Sequence, residues 1–141
     1  MLHVAIFEIF IENGVAGCRC SFDRVKEPVV LNQHEAAALS IIKESLPESA
    51  DVRVERRTDS YLTLITGEYG DFCRLKATDR AKWVSLDLWN AADEIKKDDR
   101  LQIVKNRNQR HWKIPLSCVA DLEQYSYFIN AAYSANKEDC V

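Results

Sequence analysis

The fold is decided by residues 51–88, which read DVRVERRTDSYLTLITGEYGDFCRLKATDRAKWVSLDL. Apolar and polar side chains alternate along this stretch with a period of two, which is typical of strands that have one buried and one solvated face. Turn residues interrupt the alternation at 58–60, 67–70 and 78–80. The pattern predicts an antiparallel meander of about four strands.

The same alternation assigns side chains to the two faces of the predicted sheet. In the third strand, Cys73 and Leu75 are expected on the buried face. Phe72, Arg74 and Lys76 are expected together on the solvated face. The sequence therefore predicts a sheet surface that carries basic and aromatic side chains.

A helix is predicted on either side of the meander. Asn32, followed three residues later by Glu35, matches a capping box before an amphipathic segment that Pro47 ends. After the meander, Ser117 is expected to cap a closing helix with apolar side chains at three-and-four spacing. Two further short strands are expected in between, at LQIV (101–104) and HWKIPL (111–116).

The first 35 residues form an N-terminal element of uncertain role. Val4, Phe7, Phe10 and Ile11 lie at helical spacing, which predicts a helix over 3–13, while the β-branched and aromatic content leaves a strand open. Asn13-Gly14 ends this element as a helix terminus or a turn. Cys18 and Cys20 fit one face of a short strand.

These elements predict an α+β protein. We expect an antiparallel sheet of about four to six strands, with two or three helices packed on one face. The length of 141 residues fits a single domain. Within it, residues 1–35 are the N-terminal element, 36–136 the α+β body and 137–141 a frayed tail.

The order of these segments resembles a small bacterial family of unknown function, whose domain often stands at the end of larger predicted transport proteins. The resemblance covers residues 36–136, where a helix leads into the segments DVRVERRTDSYLTLITG, DFCRLKATDRAKWVSLDL, RHWKIPL and VADLEQYSYFINAAY. The same layout is more distantly similar to the MmcQ/YjbR proteins, which have a double-wing α+β fold. The resemblance implies the fold and carries over no catalytic residue.

Composition and charge exclude several classes of protein. Nineteen Lys and Arg against 22 Asp and Glu give a net charge of −3, which excludes a polybasic protein and a strongly acidic mimic of nucleic acid. No apolar run approaches the roughly 18 residues of a transmembrane helix, and the opening residues lack the basic region of a signal peptide. We therefore expect no membrane partner. Five irregularly spaced Cys, without an export signal, predict reduced thiols and a cytoplasmic protein.

The sequence contains no standard catalytic or phosphate-binding motif. Cys18 and Cys20 lack the second ligand pair that zinc requires, so we expect a strand face there, with no metal and no cofactor. If the chain is an enzyme, Cys73 and His111 are the candidate nucleophilic pair. The carboxylates of Asp93, Glu94, Asp98 and Asp99 are a second candidate group, although they resemble a solvated surface.

Basic side chains are segregated within residues 51–141, where acidic and basic residues are equal in number. Four basic residues fall within 74–82 and four within 105–113, and each cluster has a neighbouring Trp. Trp112 shares a face with Ile114 and Leu116 and is expected in the core. The candidate binding residues are Arg74, Lys76, Arg80, Lys82, Trp83, Lys105, Arg107, Arg110, His111 and Lys113.

These observations predict a non-catalytic binding module whose basic, aromatic sheet face contacts nucleic acid or an acidic protein surface. A solvated face, with Lys and Arg stems lying over aromatic rings, explains the same pattern without a ligand. Two alternatives stay open: a small stand-alone inhibitor or regulator from a bacterial or phage mobile element, and an enzyme with an unrecognised site. The Tyr-rich final helix, with Tyr125, Tyr127 and Tyr133, leaves a dimer open.

Overall fold

The computed structural model describes residues 7–20, 29–58, 60–67, 70–102, 104, 106–108 and 110–138. Within these ranges the chain forms two antiparallel sheets, four α-helices and one 3₁₀ helix. The predicted α+β class is therefore confirmed. None of the described helices is long and apolar enough to span a membrane.

The smaller sheet has three strands in the order β1-β2-β3. They are β1 (Phe7–Glu12), β2 (Val15–Cys20) and β3 (Val29–Leu31). The larger sheet has six strands in the order β4-β5-β6-β7-β9-β8. They are β4 (Val52–Thr58), β5 (Tyr61–Thr66), β6 (Gly70–Ala77), β7 (Lys82–Asp87), β8 (Asn106–Arg107) and β9 (His111–Pro115).

The core lies between the larger sheet and two long helices, α1 (Gln33–Ser45) and α4 (Ser126–Glu138). Its sheet side is formed by the alternate apolar residues of neighbouring strands, which include Leu62, Leu64, Cys73, Leu75, Val84, Leu86 and Ile114. Full burial of an aliphatic side chain of this size contributes about 1.5–3 kcal/mol. Trp112, Ile114 and Leu116 are all buried, as the sequence predicts.

The predicted capping box begins α1. Asn32 Oδ1 accepts a hydrogen bond from the Glu35 backbone N–H at 2.7 Å, and Glu35 Oε1 accepts one from the Asn32 N–H at 3.0 Å. Asn32 Nδ2 also donates to the carbonyl of Ala77 at 2.9 Å. The cap therefore satisfies the start of the helix and fixes it against β6.

The N-terminal helix predicted over 3–13 is wrong for the described part of that stretch, which is a strand. Asn13 and Gly14 have φ values of 55° and 79° and form the two-residue turn of a β-hairpin. The Phe10 ring lies over Gly17, where an added Cβ would be 2.7 Å from Phe10 Cζ. Pairing with β2 thus overrides the helical spacing, and the alternative of a strand is confirmed.

The connection between β7 and β9 also differs from the prediction. Leu101 and Gln102 belong to a short helix, α3 (Asp99–Gln102), which follows α2 (Asp93–Lys96), so the strand predicted at 101–104 is wrong. The short strand β8 begins at Asn106, two residues after this stretch, and pairs with β9 on the side away from β7.

The closing helical segment begins with a 3₁₀ helix, Val119–Tyr125, before α4. Cys118 occupies its N-cap position, so the cap predicted at Ser117 is displaced by one residue. The Asp121 carboxylate accepts hydrogen bonds from the backbone N–H groups of Ser117 at 2.8 Å and Cys118 at 3.3 Å. These hydrogen bonds hold the pKa of Asp121 below its usual value. The frayed tail predicted for 137–141 lies largely outside the described residues.

Candidate binding face

The larger sheet has one face packed on α1 and α4 and an opposite face, here called the open face. Strand register assigns the open face two rows of side chains that cross β6, β7 and β9. Arg74, Ser85 and Lys113 are directly opposed in one row. In the other row Lys76 is opposed to Trp83. Arg74, Lys76, Trp83 and Lys113 are thus brought together as the sequence predicts.

Phe72 does not join them, and its predicted position on the solvated face is wrong. The register between β5 and β6 shifts at Leu64, so that Leu64 is opposed to Cys73 and Ile65 to Asp71. The extra residue is a β-bulge, which breaks the period of two. Phe72 is fully buried, with its ring 5.6 Å from that of Tyr133 in α4. The bulge sends Asp71 to the open face instead.

An aromatic pair lies at one end of the open face. The rings of Tyr61 in β5 and Trp83 in β7 have centroids 5.9 Å apart at 42°. Lys113 Nζ lies 4.5 Å from the centroid of the Trp83 ring, a cation–π contact. Tyr61 is not among the candidate binding residues predicted from the sequence. Its position as the first residue of a strand in the same meander was the available indication that it lies on the sheet.

Two carboxylates neutralise part of the basic charge on this face. Asp71 accepts hydrogen bonds from Arg74 Nη2 at 3.0 Å and Nε at 3.2 Å. Asp87, whose side chain is 5% exposed, pairs with Arg110 Nη2 at 3.0 Å. In contrast, Lys76 and Lys113 form no ion pair with any residue of the described ranges. Among the described residues of β6, β7 and β9, the basic charge that no ion pair neutralises therefore lies on the two lysines.

His111 lies between these charged groups. Its Nδ1 is 3.4 Å from Ser85 Oγ, and its strand position is opposed to Asp87. Burial, and then the Arg74 guanidinium, hold the pKa of His111 below its usual 6.5, against the opposing effect of the Asp87 and Asp71 carboxylates. Neutral His111 is therefore favoured in the folded protein.

The remaining predicted residues do not converge on the open face. Lys82 is opposed to Ala77, on the other side of the sheet from Trp83. Arg80 is exposed in the turn between β6 and β7. Arg107 lies in β8 opposite Trp112, and its side chain lies outside the described part of the structure. Lys105 also lies outside the described residues.

The candidate catalytic groups are separated. Cys73 is fully buried on the helix-packed face, where desolvation, and then the negative charge of Asp71, raise the pKa of its thiol far above the usual value. His111 lies on the opposite face of the sheet, so the predicted Cys73–His111 pair does not form. Asp93 and Asp98 pair with Lys96 and Arg100 in the exposed segment of α2 and α3.

No group of three or more potential metal ligands occurs among the residues that the structure describes. Cys18 is buried in β2, as expected of a strand face, and the side chain of Cys20 lies outside the described set. Two grooves lie away from the open face. One, of about 360 Å³, lies between α4 and the segment before α2. The other, of about 640 Å³, lies beside β1 and the end of α1.

Comparisons of the chain with protein-family models, with curated proteins and with solved structures find no match. The family resemblance inferred from the segment order therefore stays a prediction.

Proposed function

We propose that this protein is a non-catalytic binding module whose open face binds single-stranded nucleic acid. The observation that carries the proposal is the Tyr61–Trp83 pair, held between two lysines on a sheet face that the described helices leave uncovered. Aromatic rings on such a face stack bases, and adjacent cations hold phosphates.

The charges of the face favour a single strand over a duplex. Asp71 and Asp87 neutralise two arginines, which leaves Lys76 and Lys113 as the cations for phosphate. A duplex hides the faces of its bases within the stack, whereas a single strand offers them to Trp83 and Tyr61. Two phosphate contacts predict a slope of roughly −1.4 for log K against log salt with a single strand.

Fluorescence anisotropy with labelled oligonucleotides tests the proposal. We expect single-stranded DNA or RNA to bind more tightly than a duplex of equal length, with the shallow salt dependence given above. Equal binding of both forms, or no binding at low salt, would refute the stacking mechanism.

An acidic protein surface is the second candidate ligand, because its carboxylates can pair with Lys76 and Lys113. Asp71 and Asp87 disfavour the approach of such a surface to Arg74 and Arg110, and so direct it to the two lysines. A regulator of this kind captures one stoichiometric partner and binds no oligonucleotide. Charge reversal at Lys76 and Lys113 then abolishes capture of that partner.

A further inference from the structure

The side of α4 that faces away from the larger sheet carries a stripe of exposed and half-buried side chains. They recur at a spacing of three and four and are Tyr127, Asn130, Ala131, Ser134 and Ala135. The stripe forms one wall of the groove of about 360 Å³. Tyr127 is 56% exposed and protrudes at the end of the stripe where α4 begins, with its ring supported by that of Phe128 at 5.4 Å.

The polar side chains of this stripe can be covered at little cost in free energy. Asn130 Nδ2 donates a hydrogen bond to the carbonyl of Ser45 at 3.0 Å, and Asn130 Oδ1 accepts one from Ser134 Oγ at 3.3 Å. A surface that removes water from Asn130 and Ser134 therefore leaves neither side chain without a hydrogen-bond partner. The other wall of the groove includes Ala92 and Ile95, which add apolar area.

We propose that a second copy of this chain packs against this groove, with the two α4 helices antiparallel and a two-fold axis at Ala131. In this arrangement Ala131 is opposed to its own counterpart, and Tyr127 is opposed to Ala135 of the second copy. Tyr127 and Ala135 each lie four residues from the axis, about 6 Å along the helix. Each protruding ring therefore meets a small side chain, as the self-complementary surface of an isologous interface requires.

Charge complementarity favours a second copy in the antiparallel direction. Lys137 is exposed in the last turn of α4, and Glu123 is exposed in the 3₁₀ helix that leads directly into α4. Because the two-fold axis reverses the direction of the helix, Lys137 approaches Glu123 of the second copy at both ends of the interface. Each helix C-terminus also lies beside the N-terminal end of the other copy's helix, so the two helix dipoles attract each other.

Side-chain size selects the register. With the axis at Ala131, both kinds of opposed pair on the stripe include an alanine, which allows the helix axes to approach to the lower end of the usual separation of about 8–10 Å. An axis one turn earlier, at Tyr127, would bring the two Tyr127 rings against each other and oppose Ala131 to Glu123 of the second copy. The interface lies on the far side of α4 from the larger sheet, so the open face of each copy stays accessible.

The oligomeric state tests the proposal, measured by sedimentation velocity at protein concentrations from about 1 μM to about 1 mM. We expect the wild type to change from monomer to dimer within this range, because one helix stripe and one groove per copy form a small interface. Ala131→Glu should stay monomeric, since it places two like charges on the axis. Ala37→Glu makes the same change at an exposed position of α1 and should dimerise as the wild type does. A wild type that is monomeric throughout, or a dimer that persists in Ala131→Glu, overturns the proposal.

A mixture of two variants tests the register independently of any loss of folding. Ala131→Lys, like Ala131→Glu, should be monomeric alone, because position 131 is opposed to itself. An equimolar mixture of Ala131→Glu and Ala131→Lys places opposite charges on the axis, so we expect it to recover a dimer that neither variant forms alone. Circular dichroism checks that both variants are folded. A mixture of folded variants that stays monomeric shows that the axis does not pass through Ala131 and overturns the register.

Discussion

At the residue scale, Asn32 has two roles at the start of α1. Its side chain caps α1 and also reaches the Ala77 carbonyl, so it links the helix start to the sheet. We expect Asn32→Ala to lower the free energy of unfolding by about 1 kcal/mol through loss of the cap. Urea denaturation measures the change. Gln33→Ala, at the exposed neighbouring position, is the control, and an equal loss there would contradict the cap assignment.

His111 makes stability depend on pH. Because its pKa is lowered on folding, the unfolded chain binds its proton more readily than the folded chain does. Stability is therefore full above the usual pKa of 6.5 and falls as the pH drops through the interval between 6.5 and the lowered value. We expect His111→Gln to lose this pH-dependent part of the free energy of unfolding. Urea midpoints at about pH 7.5 and about pH 5.5 give the comparison. A variant with the wild-type pH dependence would exclude His111 as its source.

At the scale of single elements, β6 shows where alternation is interrupted. The bulge at Phe72 turns that ring into the core and leaves Lys76 on the open face. Phe72→Ala should cost about 3–5 kcal/mol of unfolding free energy because it leaves a cavity against Tyr133. Lys76→Ala should change it by no more than about 0.5 kcal/mol. If alternation continued without a bulge, both side chains would lie on the open face and both substitutions would have small effects. Thermal or urea unfolding therefore tests whether the Phe72 side chain lies in the core.

The aromatic pair belongs to two elements, β5 and β7, and its contribution to binding is separable from that of charge. Trp83→Leu should weaken binding of a single-stranded oligonucleotide about 5- to 150-fold, the equivalent of about 1–3 kcal/mol per stacked base. The salt dependence should not change, because no cation is removed. Trp89→Leu, an exposed Trp in the loop after β7, is the control. Equal losses for the two variants would contradict stacking on Trp83.

The smaller sheet and the polar connection show the limits of local pattern. The β1 residues have helical spacing, and only their pairing with β2 through the Asn13-Gly14 turn makes them a strand. The segment LQIV (101–104) has apolar content suited to a strand, but its first two residues, Leu101 and Gln102, lie in α3. In both places a short segment satisfies two periods equally well, and the pattern alone does not decide between them.

For the whole molecule, the sequence predicts the larger part of the fold. The meander, the capping box of α1 and the burial of Trp112 all follow from alternation and capping, which are local signals. The candidate site is predicted less completely. Arg74, Lys76, Trp83 and Lys113 share a face because alternation holds through most of β6, β7 and β9.

Charge compensation is the part of the site that the sequence conceals. Asp71 reaches Arg74 only because the bulge redirects it, and Asp87 reaches Arg110 across the end of β9. A count of basic residues along the chain therefore overstates the charge that a ligand meets. Among the described residues of β5, β6, β7 and β9, the open face has an aromatic pair and two lysines without an ion pair, in place of an extended basic patch.

The most direct test of this account compares two double charge reversals by anisotropy with a single-stranded oligonucleotide. Lys76→Glu/Lys113→Glu changes the open face, and Lys97→Glu/Lys137→Glu makes the same change in net charge on helical segments away from it. We predict that the first variant loses binding and that the second keeps the wild-type affinity to within a few fold. Equal losses in both variants, or retained binding in the first, would contradict the assignment of the open face as the binding surface.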